Sequence, residues 1–214
     1  MREAKVTVII PVYNVAGYIE KCATSLFEQT LDGLEILFID DCSPDNSVEI
    51  IKKTLKKYPA RNTLTRIIRM PSNSGLSAVR RCGIIEATGQ YVIHCDGDDW
   101  VDPDLYEIMY NKAVKDNADV VVCGFVYENL KGNEICKNEL HNIDGKSLLC
   151  SWYKSTCHMS TCNKLVRRSI YTKYDILPWV GLNMWEDNGL LTRVFYYAKT
   201  IAYANDCYYH YNRT

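Results

Sequence analysis

The feature that most constrains this chain is the regular alternation of short apolar runs with amphipathic segments in its first half. Strand-like and helix-like patterns alternate in the order 6–10, 17–29, 35–40, 43–57, 64–69, 76–87 and 91–95. Strands separated by helices pair in parallel through right-handed crossovers. We therefore predict an α/β fold in which helices flank a mostly parallel central sheet.

Polar clusters follow three of these strand-like runs. The carboxyl ends of parallel strands lie at one edge of a sheet, where the ligand crevice of such folds is found. One cluster after a strand can arise by chance, but three predict a binding site at that edge. The clusters are Pro11-Val12-Tyr13-Asn14, Asp40-Asp41-Cys42-Ser43 and Asp96-Gly97-Asp98-Asp99.

The second half of the chain has a different character. It contains strand-like patterns at 119–127 and 201–211, a turn-rich segment at 129–133 that suggests a hairpin, and a helix-like pattern at 186–198. Residues 134–165 support no detailed assignment. The chain ends abruptly on aromatic residues, so we expect the natural protein to be longer.

Composition excludes several classes of protein. A net charge of -1 gives no basic field for nucleic acid. No apolar segment approaches the roughly 20 residues that span a bilayer, and the N-terminal apolar run lacks a signal-peptide cleavage pattern. The ten cysteines show no zinc-like CxxC pairs. They predict reduced thiols in a cytoplasmic protein.

The aspartate cluster suits a hard divalent cation. Asp96 and Asp98 have D-x-D spacing directly after a strand, so both carboxylates can approach one ion. Such an ion would bridge a diphosphate and neutralise the charge that gathers on a departing nucleoside diphosphate. The alternative is an Asp-rich turn that caps the helix opening at Pro103, a role that Asp102 alone could fill.

Other candidates each have a structural alternative. Asp41 could accept an N–H from a nucleobase or a ribose hydroxyl, or it could cap a helix. Tyr13 could stack on the base or pack in the core. Arg80 could hold a diphosphate oxygen or lie exposed on its helix. For Arg81, exposure on the helix surface is the stronger expectation.

A further carboxylate lies at the start of the predicted helix near residue 186. Asp187 could be a general base for an acceptor hydroxyl, although a carboxylate in a first helical turn also complements the helix dipole. Trp185 could stack on a sugar ring, but core packing is the commoner role of a tryptophan.

Taken together, these residues resemble the family 2 glycosyltransferases, which are inverting enzymes with the GT-A (Rossmann-like) fold. The matching segments run in family order from residue 6 to residue 187. They are 6–14, 25–30, 39–45, 73–80, 89–91, 96–99, 163–165 and 186–187.

The resemblance implies a role for each matching donor-side residue. Tyr13 and Asp41 would hold the nucleobase, and Pro11 would shape the pocket wall. Arg80 would face the phosphates or the base of the donor. These residues belong to a donor-binding half that we assign to 1–118.

The resemblance also implies the catalytic roles. Asp96 and Asp98 would bind Mn²⁺ or Mg²⁺, with Asp98 the more direct ligand, and Asp99 would lie beside the donor sugar. Asp187 would deprotonate the acceptor hydroxyl, which then attacks the anomeric carbon and inverts it. We assign 119–214 to this acceptor-side, smaller mixed region of the same domain.

Three departures from the family pattern are visible. Cys42 replaces the usual glycine after the Asp pair, and Arg81 stands where asparagine is common. The Q-x-x-R-W element and membrane helices of processive polymerases are absent, which favours the addition of a single sugar. The expected enzyme is therefore a metal-dependent transferase of one sugar.

The donor and acceptor are less well determined than the reaction. A carboxylate that accepts the uracil N3–H favours a UDP-sugar, while dTDP- and GDP-sugars stay open. The family suggests a glycan or lipid-linked acceptor in surface polysaccharide synthesis, met at the inner membrane face through peripheral contact. A catalytically silent nucleotide-sugar-binding protein is the alternative. A nucleotidyltransferase fits less well because the loop after the first strand differs from what that class requires. A phosphorylation receiver fits less well because of the second half of the chain.

Overall fold

The computed structural model describes residues 4–130, 132–136, 144–153, 160–182 and 184–214, apart from the side chains of 151–153 and 206. Its strands are β1 (Val6–Val12), β2 (Leu34–Asp40), β3 (Thr65–Arg69), β4 (Tyr91–His94), β5 (Trp100–Val101), β6 (Val120–Glu128), β7 (Glu134–Cys136), β8 (Lys164–Arg167) and β9 (Ile201–Asn212). Its α-helices are α1 (Ile19–Phe27), α2 (Ser47–Leu55), α3 (Leu76–Glu86), α4 (Leu105–Lys115), α5 (Gly145–Tyr153), α6 (Arg168–Lys173) and α7 (Glu186–Tyr197), and a 3₁₀ helix spans Pro59–Leu64.

The strands form one sheet in the order β3-β2-β1-β4-β8-β6-β9-β5, with β7 paired to β6 outside that order. Strands β3, β2, β1 and β4 are mutually parallel. Strand β8 pairs antiparallel with both β4 and β6, whereas β6 and β9 pair in parallel. The predicted fold class, an α/β sheet of parallel strands joined to a smaller mixed region, is confirmed.

Helices cover both faces of the sheet because successive side chains of a strand point to opposite faces. Val8 and Phe38 belong to an apolar cluster with residues of α1, α2 and α4. Ile9 and Leu37 belong to a second cluster, with residues of α3, α5, α6 and α7. Strands that are buried on both faces consist of continuous apolar runs. This explains why the strands of the first half could be predicted from the sequence.

Three predicted helices begin later than their sequence patterns indicate, and the first of them, α1, starts at Ile19 and not at Gly17. Helix α2 starts at Ser47, not Ser43, because the preceding residues form a turn in which Cys42 has a left-handed φ of 57°. Helix α4 starts at Leu105, two residues after Pro103, and its N-cap Asp104 makes no side-chain capping bond. Asp102 instead accepts hydrogen bonds from the Tyr208 backbone N–H and faces His210.

Strand β9 carries the end of the chain back into the sheet between β6 and β5. The expected hairpin at 129–133 is present as the antiparallel pair β6–β7. The longest helix in the described ranges has 12 residues, and none of those helices is long and apolar enough to cross a membrane. Nine cysteines of the described residues are free thiols.

Candidate active site

A pocket of about 300 Å³ opens at the carboxyl edge of the parallel strands, and we call it the edge pocket. It combines residues from all three polar clusters with the loop before α3. The predicted site residues on its wall are Pro11, Tyr13, Asp41, Asp96 and Asp98. Two other predicted residues, Arg80 and Asp99, are each at most 2% exposed and lie outside this wall.

A larger cavity of about 660 Å³ lies near the amino ends of β1 and β4. Its charged lining residues are Lys5, Arg167 and Arg168, and it contains none of the predicted site residues. Size alone therefore does not identify the site. The edge pocket is the better candidate because it gathers three carboxylates, and burial together with repulsion from Asp96 raises the pKa of one of them, Asp98.

The loop after β1 holds Tyr13 at the mouth of the edge pocket. The Asn14 N–H donates to the Ser43 hydroxyl at 2.8 Å, and the Ala16 N–H donates to the Asp45 carboxylate at 2.9 Å. These bonds fasten the loop to the segment before α2. The Tyr13 ring is 48% exposed, so it is available to stack on a planar ligand rather than being part of the core.

Asp41 joins the end of β2 to the loop that precedes α3. Its two carboxylate oxygens accept the backbone N–H groups of Ser74 and Gly75, at 2.8 and 2.9 Å. The residue is 4% exposed and does not cap α2. Each carboxylate oxygen carries more than one lone pair, so Asp41 can still accept a proton donor from a ligand in the pocket.

The aspartate cluster follows β4 in a tight turn against the first strand. A Cβ on Gly97 would meet the Pro11 carbonyl oxygen at 2.9 Å, so only glycine allows this approach. Asp98 is exposed as a residue, but neighbouring protein atoms partly desolvate its carboxyl group, and this together with repulsion from Asp96 raises its pKa. The charge at this end of the pocket is thus poorly compensated.

Asp99 lies beneath the cluster and is fixed by the last strand. Its carboxylate accepts the Tyr209 hydroxyl at 2.5 Å and the Asn212 backbone N–H at 2.8 Å. Burial, followed by repulsion from Asp96, raises the pKa of Asp99 to about 8. This environment favours a structural role that holds the turn against β9.

Arg80 is the buried cation of the site. Its guanidinium donates to Glu186 at 2.9 Å, to Asp187 and to Asp96 at 3.1 Å. Burial acts to lower the pKa of Arg80, but these carboxylates raise it well above its ordinary value. One guanidinium therefore connects the edge pocket with the start of α7.

Asp187 lies in the first turn of α7, with its side chain 21% exposed. The Thr161 hydroxyl and backbone N–H donate to its two oxygens at 3.2 and 3.3 Å. Burial raises the pKa of Asp187, while Arg80 opposes that change. A carboxylate with a raised pKa, oriented by several donors, is suited to accept a proton.

Several residues of this network were not predicted from sequence. Cys162 contacts the second oxygen of Asp96 at 3.4 Å, and His94 is buried with both ring nitrogens lacking a partner among the described residues. Glu186 was noted only as the neighbour of Asp187. The only sequence signal for Glu186 was its position next to a second acidic residue. No sequence signal pointed to Cys162 or His94.

The residues fit a divalent cation only if most of its ligands come from elsewhere. Among the described residues, no group of three or more His, Cys, Asp and Glu side chains is arranged to hold a metal. Asp96 already pairs with Arg80 through Oδ1, whereas Asp98 is exposed beside other negative charges. Asp98 is thus the residue that could hold Mn²⁺ or Mg²⁺, and oxygens from outside the protein would have to supply the remaining ligands.

Comparison with known proteins agrees with this geometry. The family model described as glycosyl transferase family 2 matches residues 7–175. The cholesterol galactosyltransferase of Borreliella burgdorferi is 33% identical over 218 residues, which cover 96% of this chain and 59% of that protein. The chain therefore belongs to glycosyl transferase family 2.

Solved structures show the same fold. TarS of S. aureus, in complex with UDP-GlcNAc, superposes with a TM-score of 0.85 at 21% identity, covering 98% of this chain and 59% of that one. The mannosyltransferase PcManGT of Pyrobaculum calidifontis, in complex with GDP-Man and Mn²⁺, gives a TM-score of 0.71 at 14% identity, covering 99% and 57%. The chain spans between 57% and 59% of the length of these three proteins.

Proposed function

We propose that this chain transfers one sugar from a nucleoside diphosphate sugar to a hydroxyl of a glycan or lipid-linked acceptor, with inversion. The observation that carries the proposal is the Arg80 guanidinium, which binds Asp96 of the edge pocket and Asp187 of α7 at once. This shared ion-pair partner supports the proposal of a nucleotide pocket that adjoins a carboxylate able to accept a proton. Residues 1–118 would bind the donor, and 119–214 would supply the base.

The donor would enter the edge pocket with its base against Tyr13. Asp41 would accept an N–H of the base while the Ser74 and Gly75 amides hold the carboxylate in place. Uracil offers such an N–H at N3, and a fold relative was solved with UDP-GlcNAc. A UDP-sugar is therefore favoured, with guanine and thymine as the other bases to test.

The acceptor hydroxyl would lie against Asp187. Its oxygen would lose a proton to the carboxylate as it attacks the anomeric carbon from the face opposite the leaving nucleoside diphosphate. Positioned proton transfer of this kind contributes about 10²- to 10⁴-fold to a rate. A divalent ion bound through Asp98 would supply charge neutralisation for the diphosphate.

The role of the protein follows from the acceptor. One relative is named a cholesterol galactosyltransferase, which supports a lipid hydroxyl as the acceptor. We place this chain in the cytoplasm at the inner membrane face, in peripheral contact with it, adding sugars to surface polysaccharide precursors.

A donor screen tests the proposal. UDP, GDP and dTDP release is measured from a panel of sugar nucleotides, with and without Mn²⁺, in the presence of a membrane fraction as the source of acceptor. We expect Mn²⁺-dependent release of UDP from at least one UDP-sugar. Asp187→Asn should retain UDP binding and lose release by about 10²-fold or more.

Glu186→Gln is the matched control, because it removes the neighbouring carboxylate and leaves Asp187 in place. A large loss in Glu186→Gln with near-normal turnover in Asp187→Asn would show that the base is assigned to the wrong residue. Nucleotide binding without release from any donor would favour the second candidate, a catalytically silent nucleotide-sugar-binding protein.

A further inference from the structure

The loop that leads into α7 is unusually apolar. Residues 176–185 contain no charged residue, although 24% of the chain is charged. The loop ends where α7 begins with Glu186 and Asp187. Its large apolar side chains are exposed, with Trp179 at 55%, Val180 at 62%, Met184 at 73% and Trp185 at 70%.

Trp185 has a backbone conformation that a bulky residue rarely adopts. Its φ is 63° and its ψ is 22°, in the left-handed region. For such a side chain this conformation costs free energy, and it persists only where the surrounding structure enforces it. The Trp185 carbonyl accepts the Gly189 N–H at 3.1 Å, so the first turn of α7 fixes the residue that carries the ring.

The other tryptophan of the loop is used differently. The Arg193 guanidinium lies 4.1 Å from the centre of the Trp179 ring and also donates to the Leu177 carbonyl at 2.8 Å. Trp179 therefore has a partner within the protein and helps to fix the loop. Trp185, in contrast, has no ring or cation stacked on it in the described part of the chain.

Trp185 precedes Asp187 by two residues, a span of at most about 7 Å. The indole is therefore an exposed aromatic group close in the chain to Asp187, within range of a ligand whose hydroxyl would reach that carboxylate. An uncharged indole beside an uncharged loop fits a neutral ligand with an apolar face and polar edges. The C–H face of a pyranose ring has this character.

We propose that Trp185 is a stacking platform for a sugar ring of the acceptor. This proposal rests on the proposed function, since it takes Asp187 as the group that receives the acceptor proton. It names a neutral pyranoside as the part of the acceptor next to the reacting hydroxyl. The strained backbone at Trp185 is then the means by which the ring is held at the mouth of the site.

Indole NMR tests the platform directly. The ¹⁵N–¹H resonances of the four tryptophans are followed while the protein, with UDP and Mn²⁺, is titrated with methyl β-glucopyranoside, methyl β-galactopyranoside or methyl N-acetyl-β-glucosaminide. We expect a saturable shift of the Trp185 resonance with at least one glycoside and none for Trp179. No saturable shift at Trp185, or equal shifts at both residues, overturns the proposal.

Two substitutions separate the ring from the backbone. Trp185→Phe keeps an aromatic face, and Trp185→Gly removes it while accepting the left-handed φ. By saturation-transfer NMR, we expect Trp185→Phe to bind the glycoside within about threefold of the parent and Trp185→Gly to bind it about tenfold more weakly. The melting temperature of Trp185→Gly should not fall, since its backbone strain is relieved.

Unchanged glycoside binding by Trp185→Gly would contradict the platform. A second probe, vesicles of phosphatidylglycerol and phosphatidylcholine, broadens the resonances of Trp179 and Trp185 alike if the loop enters a lipid surface, and that result would overturn the sugar assignment. Because these experiments measure binding, a catalytically silent protein would still show the shift. An active enzyme without it would refute only this inference.

Discussion

The acidic cluster of this site has two ends that differ in how their charge is compensated. At the arginine-bound end, Asp96, Glu186 and Asp187 share the buried guanidinium of Arg80. At the open end, Asp98 is exposed and has no cation among the described residues, and repulsion adds to burial in raising its pKa. The protein neutralises one end itself, and the other end has no cation within the described residues.

The two ends are therefore expected to differ in role. Charges at the arginine-bound end stabilise the fold, and charges at the open end would affect ligand binding. A buried charge without a partner destabilises the fold strongly, so Arg80 is part of the architecture. At the open end the negative charge is uncompensated within the described residues, and this raises the pKa of Asp98 without a buried ion pair. We expect substitutions at the arginine-bound end to change stability, and substitutions at the open end to change binding.

The largest effect is expected for Arg80→Gln. This change leaves the carboxylates of Asp96, Glu186 and Asp187 buried or half-buried without a cation. Removing one partner of a buried ion pair costs about 3 to 5 kcal/mol, so the free energy of unfolding should fall by that amount. Urea denaturation followed by circular dichroism measures the loss.

Lys112→Gln is the control for Arg80→Gln. Lys112 pairs with Asp116 at 2.9 Å, and the two side chains are 37% and 36% exposed. Exposed pairs contribute about 0 to 1 kcal/mol, so this variant should be close to the parent. Equal losses in the two variants would show that Arg80 does not hold the cluster together.

The burial of Arg80 is a feature that could not be predicted from the sequence. The helical pattern of α3 located the residue, and the resemblance assigned it to the donor phosphates. The pattern could not show that it is buried, because its partners Glu186 and Asp187 lie 106 and 107 residues further along the chain. Whether it also contacts a donor stays a prediction.

The fold was more predictable in one half than in the other for a related reason. Strands β1 to β4 follow local β/α patterns, and their predicted bounds differ from the observed ones by no more than two residues. In the second half, β9 pairs with β6 across about 80 residues of chain, and β5 has only two residues. Such pairings depend on tertiary contacts that no local period encodes.

The second prediction concerns the open end. Asp98→Ala should weaken UDP binding in the presence of Mn²⁺ by about tenfold or more, because it removes the carboxylate that would hold the ion. Without Mn²⁺, the parent and the variant should bind UDP alike. Isothermal titration calorimetry with and without the ion measures both comparisons.

Stability gives the control for Asp98→Ala. Since the folded state raises the pKa of Asp98, its charge opposes folding, and the variant should be as stable as the parent or slightly more stable. A loss comparable to that of Arg80→Gln would mean that the open end is structural as well. Equal UDP affinity with and without Mn²⁺ in the parent would remove the case for a metal.

The smallest effect is expected at Asp45, where hydrogen-bond donors rather than a cation compensate the charge. Burial acts to raise the pKa of Asp45, but bonds from Ser43, Ser47 and Ala16 outweigh it and lower the pKa from 3.8 to about 2. Asp45→Ala should cost about 1 kcal/mol at pH 7, as the loss of a helix cap does.

The pH dependence of the stability loss in Asp45→Ala shows whether hydrogen-bond donors are what stabilise the Asp45 carboxylate. A folded pKa below the unfolded value gives stability that is present above about pH 3.8 and is lost as the pH falls through about 2. The difference in melting temperature between parent and Asp45→Ala should therefore shrink steadily from pH 5 to pH 2. A difference that persists unchanged at pH 2 would mean that the Asp45 side chain stabilises the fold through packing. Hydrogen bonds from N–H and O–H donors would then not explain why the charge of Asp45 is compensated and that of Asp98 is not.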